Sequence, residues 1–126
     1  MLSCGIDLIE FQRFEKYLQQ RDPVDPFLKM VFTQEEISRN FALNQHICFP
    51  AGFTCKEAVF KAFGQSWTNS PIDWKEIELL FHPGRQSYSV HFSGYASQLY
   101  GRMAINDMAC SFESTPDYVL FKVIFW

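Results

Sequence analysis

At 126 residues, with a net charge of −3 and a pI near 5.5, the chain is sized for one domain, residues 1–126. It is too acidic to track a phosphate backbone, which takes clustered Lys and Arg, so nucleic acid is excluded as a partner. Apolar residues make up 48% of the chain and 14 residues are Phe, which predicts a dense core with apolar surface left for a partner subunit. Cys4, Cys48, Cys55 and Cys110 form no CxxC pair and have no His at ligand spacing. They read as small apolar fillers in a reducing compartment, not as a disulfide framework or a zinc site. Asp7 and Glu10 break the apolar stretch that a signal peptide needs, and the run from Tyr118 to Trp126 is too short to cross a bilayer. The sequence therefore reads as a soluble, cytoplasmic protein with no membrane partner.

The first stretch, Met1 to Ile9, is apolar but broken by Gly5 and Asp7, and predicts a strand. Phe11, Phe14 and Leu18 then recur at helical spacing, with Gln12, Arg13, Glu15 and Lys16 on other faces, up to a stop at Asp22-Pro23 through Pro26. Thr33-Gln34-Glu35-Glu36 is a capping box, with Phe32 and Ile37 placed as a hydrophobic staple, so a short helix begins there. A long helix is expected from Ala51 to Phe63, stopped by Gly64, followed by a polar loop from Gln65 to Asp73. Ile77–Phe81 and Tyr88–Phe92 read as strands joined through His82-Pro83-Gly84-Arg85. Ser93-Gly94 opens a short helix that ends near Gly101. The chain closes as a hairpin, with Met108, Cys110 and Phe112 on one arm and Val119, Phe121, Val123 and Phe125 on the other, turned at Thr115-Pro116-Asp117. The fold class is α+β: a single domain with an antiparallel sheet and a long central helix, helix-rich in one half.

Glu57 lies four residues after Phe53 and three before Phe60, so a carboxylate stands within an apolar stripe of the long helix. That placement is costly unless a cation or a metal compensates it. Lys61 follows one turn on and Lys56 is its sequence neighbour. The same spacing also fits an ordinary Glu57–Lys61 surface pair, contributing roughly a few tenths of a kcal/mol. Asp7, enclosed by Ile6, Leu8 and Ile9, either points to solvent or holds something. Two hard carboxylates with lysines nearby suit Mg²⁺ and a pyrophosphate, because Mg²⁺ usually takes one or two carboxylates plus phosphate oxygens.

Gly5-Ile6-Asp7-Leu8-Ile9-Glu10-x-x-Arg13-Phe14 resembles the opening motif of the holo-acyl-carrier-protein synthases, a 4′-phosphopantetheinyl transferase family. Phe53-Thr54-Cys55-Lys56-Glu57-Ala58-Val59-Phe60-Lys61-Ala62-Phe63-Gly64 resembles their central motif. The spacing matches, and so does the order of what surrounds them: Phe32-Thr33-x-x-Glu36 between, then a strand, Gly94 and a closing hairpin. The resemblance covers essentially the whole chain. It implies transfer of 4′-phosphopantetheine from coenzyme A to a serine of an acyl carrier protein, with release of 3′,5′-ADP. By the same resemblance Asp7 and Glu57 bind Mg²⁺ with the pyrophosphate, Glu57 is also the base, and Lys61 contacts the phosphates. Lys56 adds to the local field. Arg13 and Phe27 match positions that dock the acidic carrier protein, and a homotrimer with its active site between subunits is implied, with the closing strand's Phe121, Val123, Phe125 and Trp126 as surface to bury.

The sequence departs from the family at definite places. After Gly64 the usual Thr-Gly is Gln65-Ser66, so Ser66 stands where a second glycine would approach the phosphates. The closing Ser-His-Thr is Glu113-Ser114-Thr115, making Ser114 the candidate partner of the coenzyme A 3′-phosphate. Gly52 replaces an Arg, and Pro26 and Met30 stand where basic residues are common. Two other readings follow: a weakened relative that binds a carrier protein without modifying it, and an unrelated Mg²⁺ phosphodiesterase or nuclease, which the acidic balance disfavours.

Overall fold

Alternation in the first and last strands decides the architecture. In the computed structural model, which describes residues 2–83 and 87–126, β1 (Ser3–Glu10) pairs antiparallel with β5 (Tyr118–Phe125), and β5 pairs in turn with β4 (Met108–Ser114). Val119, Phe121, Val123 and Phe125 alternate along β5 and are all fully buried. They face the long helix α3 (Gln45–Ala62), whose Cys55, Ala58, Val59 and Ala62 join the same core. A second sheet, the hairpin of β2 (Ile77–His82) and β3 (Ser87–Phe92), adds Ile77 and Leu79. The turn expected through Gly84 and Arg85 lies outside the described residues, as does Met1.

A second core is aromatic. Phe14 and Leu18 come from a 3-10 helix, Phe11–Tyr17, and its immediate end; Leu28 and Val31 come from α1 (Pro26–Val31). Phe32, Ile37, Phe41 and Phe49 complete it around α2 (Gln34–Ala42). The capping box at Thr33 is formed in both directions: Thr33 Oγ1 accepts from the Glu36 N–H at 3.1 Å, and Glu36 Oε1 accepts from the Thr33 N–H at 2.9 Å. A short 3-10 turn, Trp74–Glu76, leads into β2, and α4 (Gly94–Arg102) follows β3.

The α+β class stands, with the antiparallel strands divided between two sheets. Four expectations are corrected. The first helix is 3-10, not α, although Phe14 and Leu18 face inward as the spacing requires. The long helix begins at Gln45, because the Asn44 side chain accepts from the His46 N–H and starts a turn upstream of Pro50. Pro50 then sits inside the helix, where its missing N–H costs one backbone bond. Cys4 is exposed, not a filler, whereas Cys48 and Cys55 are buried. Phe121, Val123 and Phe125 fill the chain's own core and offer no surface to a partner.

Candidate active site

The site is built where β1 crosses α3. A Cβ on Gly5 would lie 1.9 Å from the Ala58 carbonyl oxygen and 2.7 Å from the Ala62 nitrogen, so only glycine lets the strand touch the helix backbone. Ser3 Oγ donates to the Ala62 carbonyl at 2.8 Å and ties the same crossing. Two-residue alternation then turns Asp7 to the helix side with Gly5, while Ile6 and Leu8 face outward at 51% and 57% exposure. Asp7 does not point to bulk solvent: its side chain is only 18% exposed.

Lys61 reaches back from α3 to meet it. The ammonium lies 3.0 Å from Asp7 Oδ1 and 3.0 Å from the Ile6 carbonyl, so it closes an interelement bridge, not an i,i+4 pair with Glu57. Glu57 is half-buried one turn before Lys61. Burial pushes its carboxyl up from the ordinary glutamate value, the Asp7 charge raises it further, and Lys61 opposes both. Two carboxylates and one ammonium thus share one pocket of field, with a surplus of negative charge.

The end of α3 places two more candidates beside Lys61. Gly64 N–H donates to the Lys61 carbonyl at 2.9 Å and Gln65 N–H to the Phe60 carbonyl at 2.9 Å, a Schellman closure in which Gly64 takes φ +74°. Ser66 follows in a small turn: its N–H donates to Asn69 Oδ1 at 2.9 Å, and its hydroxyl lies 2.9 Å from Thr68 Oγ1.

Lys56 is a correction. Although adjacent to Glu57 in sequence, it points into the protein and is fully buried. Its ammonium donates to Glu36 Oε1 at 2.8 Å, to the Trp74 carbonyl at 3.1 Å and to the Ile77 carbonyl. It has no charge to spare for a ligand, because one helical step of about 100° separates its direction from that of Glu57. Sequence reading missed this pin between α2, α3 and β2; Glu36 at the capping-box N3 position was the available signal.

Arg13 is exposed on the 3-10 helix. Phe27 is half-buried, stacked on Tyr17 at 4.2 Å and packed near Phe14 and Phe53. Ser114 ends β4, separated from β1 by β5, and lines a pocket of about 310 Å³ with Phe11, Glu15, His46, Ile47 and Thr115. Within one chain the structure brings together Asp7, Glu57 and Lys61, with Gly64 and Ser66 soon after Lys61 in sequence, and among the described residues Arg13, Phe27 and Ser114 make no hydrogen bond or ion pair with them.

The chain has known relatives. The sequence pattern of the 4′-phosphopantetheinyl transferase superfamily matches residues 3–113. The holo-acyl-carrier-protein synthase of Leptospira biflexa is 31% identical over 128 residues, covering 100% of this chain and 97% of that protein. Among solved structures, the holo-acyl-carrier-protein synthase of Neisseria meningitidis superposes with a TM-score of 0.81 at 19% identity, covering 98% of this chain and 97% of the other. That of Helicobacter pylori, solved in complex with coenzyme A, gives 0.77 at 18% identity and covers 98% and 99%.

Proposed function

This chain belongs to the 4′-phosphopantetheinyl transferase superfamily, a family of enzymes, and on that premise we propose that it moves 4′-phosphopantetheine from coenzyme A to a serine of an acyl carrier protein in the cytoplasm. The observation that carries this reading is the convergence of Asp7, Glu57 and Lys61 at the β1–α3 crossing. Two carboxylates held near each other repel, and a divalent cation relieves that cost. Among the described residues no third His, Cys, Asp or Glu joins them. A donor set of two hard oxygens, with the remaining positions left to phosphate oxygens and water, fits Mg²⁺. Asp7 and Glu57 would hold the metal, which would supply neutralisation of the pyrophosphate charge.

The chain's own residues do the rest. Lys61 clamps phosphate oxygens and stabilises the negative charge that collects on 3′,5′-ADP as it leaves. Glu57 takes the proton of the carrier serine, directly or through a water, as its oxygen attacks the β-phosphorus. Arg13 offers the acidic carrier an exposed cation. A homotrimer would bring a neighbour's Ser114 edge to this site. Mass spectrometry of an apo carrier protein incubated with coenzyme A and Mg²⁺ tests the reading: the added phosphopantetheine mass is expected, and its absence would sink it.

One observation favours a weakened relative. The Ser66 N–H is already given to Asn69, so the loop has lost an amide that a glycine loop would turn to phosphate. If that reading holds, calorimetry will show carrier binding with little affinity for coenzyme A, with or without Mg²⁺.

A further inference from the structure

On the helix that carries Glu57 runs an aromatic ledge that the chemistry above does not use. Phe53 and Phe60 lie on the Glu57 stripe of α3, one on each side of Glu57 along the helix. The Trp74 indole covers both: it stacks on Phe53 at 5.3 Å and 20° and meets Phe60 edge-on at 5.3 Å and 75°. Trp74 is fixed from behind, because its carbonyl accepts from the buried Lys56 ammonium. Trp67, three residues past Gly64, packs against Trp74 at 6.0 Å and 34° and leaves 53% of its surface exposed. An exposed indole held on such a support is a ready apolar platform, and its immediate neighbours Ser66, Thr68 and Asn69 are uncharged.

We propose that Trp67, carried on Trp74 and Phe53, is the seat of the pantetheine arm of the substrate. The inference rests on the coenzyme A reading given above. With a pyrophosphate at Asp7, Glu57 and Lys61, the substrate leaves the site in two directions. One branch carries ribose, a doubly charged 3′-phosphate and adenine, and requires cations. The other begins with a gem-dimethyl carbon and continues through two neutral amides, and requires an apolar wall edged by hydroxyls and amides. The ledge has the second chemistry. Trp67 also follows Lys61 by six residues, on the segment that leaves the C-terminal end of α3.

The test compares two ligands. Coenzyme A and 3′,5′-ADP share the nucleotide, and only the first has the arm. Titration of the full chain in Mg²⁺ buffer, followed by indole fluorescence and by calorimetry, should give a Trp67→Ala variant with coenzyme A binding weakened by about fivefold. Its 3′,5′-ADP binding should change by less than about twofold, and Trp67→Phe should recover most of the loss. Equal weakening of both ligands would put the nucleotide on the indole and overturn the proposal, as would an unchanged affinity for coenzyme A. If the unaltered protein binds neither ligand, the coenzyme A reading itself fails and the arm site with it.

Discussion

At the scale of single residues, Glu57 is stable only at a cost to the fold. Its folded carboxyl titrates above the unfolded value of 4.5, through burial first and Asp7 second. Below 4.5 the group is protonated in both states and nothing is lost; as pH rises through the folded value, the native state is increasingly penalised relative to the unfolded one. Glu57→Gln should therefore raise the melting temperature of the metal-free protein by a few degrees at neutral pH while abolishing transfer. The gain should shrink to nothing as pH falls below 4.5. A variant less stable than the parent at pH 7 would mean that the carboxylate is already compensated without metal. Arg13 acts differently, through distance. It is exposed and has no ion-pair partner among the described residues, so Arg13→Glu should raise the carrier KM and flatten its salt dependence while leaving the coenzyme A KM unchanged. An unaltered carrier KM would show that docking uses another face.

Between elements, contact geometry decides whether those residues meet. Gly5 sets the β1–α3 separation, so Gly5→Ala forces strand and helix apart by the width of a methyl group. That change should destabilise the fold by about 1–3 kcal/mol, as overpacking does. The surviving native protein should bind Mg²⁺ and coenzyme A more weakly, because Asp7 moves with the strand. Unchanged affinity in calorimetry would mean that the crossing does not set the carboxylate spacing. The Lys56–Glu36 pair locks the other side of α3. Burial raises the Glu36 carboxyl and lowers the Lys56 ammonium, and each partner's charge offsets the other's loss of water. Lys56→Met, which strands a buried carboxylate, should cost about 3–5 kcal/mol in denaturant unfolding, and adding Glu36→Leu should recover much of it. A single variant as stable as the parent would show the pair to be dispensable. These elements also mark what was legible in the sequence. Capping at Thr33, the Gly64 stop and the β4–β5 alternation are local chemistry and could be read directly. The 3-10 winding of Phe11–Tyr17 and the start of α3 before Pro50 depend on tertiary packing that overrides local preference. Asp7 and Glu57 stood out as isolated carboxylates among apolar neighbours. That they meet was implied only by the family resemblance, because β1 and α3 are far apart in the chain, and nothing local says that Lys56 turns inward while Glu57 does not.

For the molecule as a whole, the anomaly is the outer face of the three-stranded sheet. An antiparallel sheet with one face on a core usually turns polar residues to water on the other. Here the outer face carries Ile6 and Leu8 of β1, paired across to Lys122 and Leu120 of β5, with Ile124 further along at 41% exposure. Lys122 and Glu113, 3.4 Å apart, relieve that face together with Ser111 and, at its end, Glu10 opposite Tyr118. Such a face is costly in a monomer and natural in an oligomer whose copies cover it. The homotrimer proposed for this chain therefore draws its buried area from Ile6, Leu8, Leu120 and Ile124, and not from the inward Phe121, Val123 and Phe125. Leu8 is the most diagnostic of these, because it is 57% exposed and its neighbour Asp7 points the opposite way. Leu8→Lys adds a charge to the interface without touching the core. Light scattering at micromolar concentration should show a trimer for the parent chain and a folded monomer for the variant. Transfer should fall with it if a neighbour's β4 edge completes the site. A variant that remains trimeric would place the interface elsewhere. A monomer with full activity would keep the interface but confine the site to one chain, leaving Ser114 without a part in it.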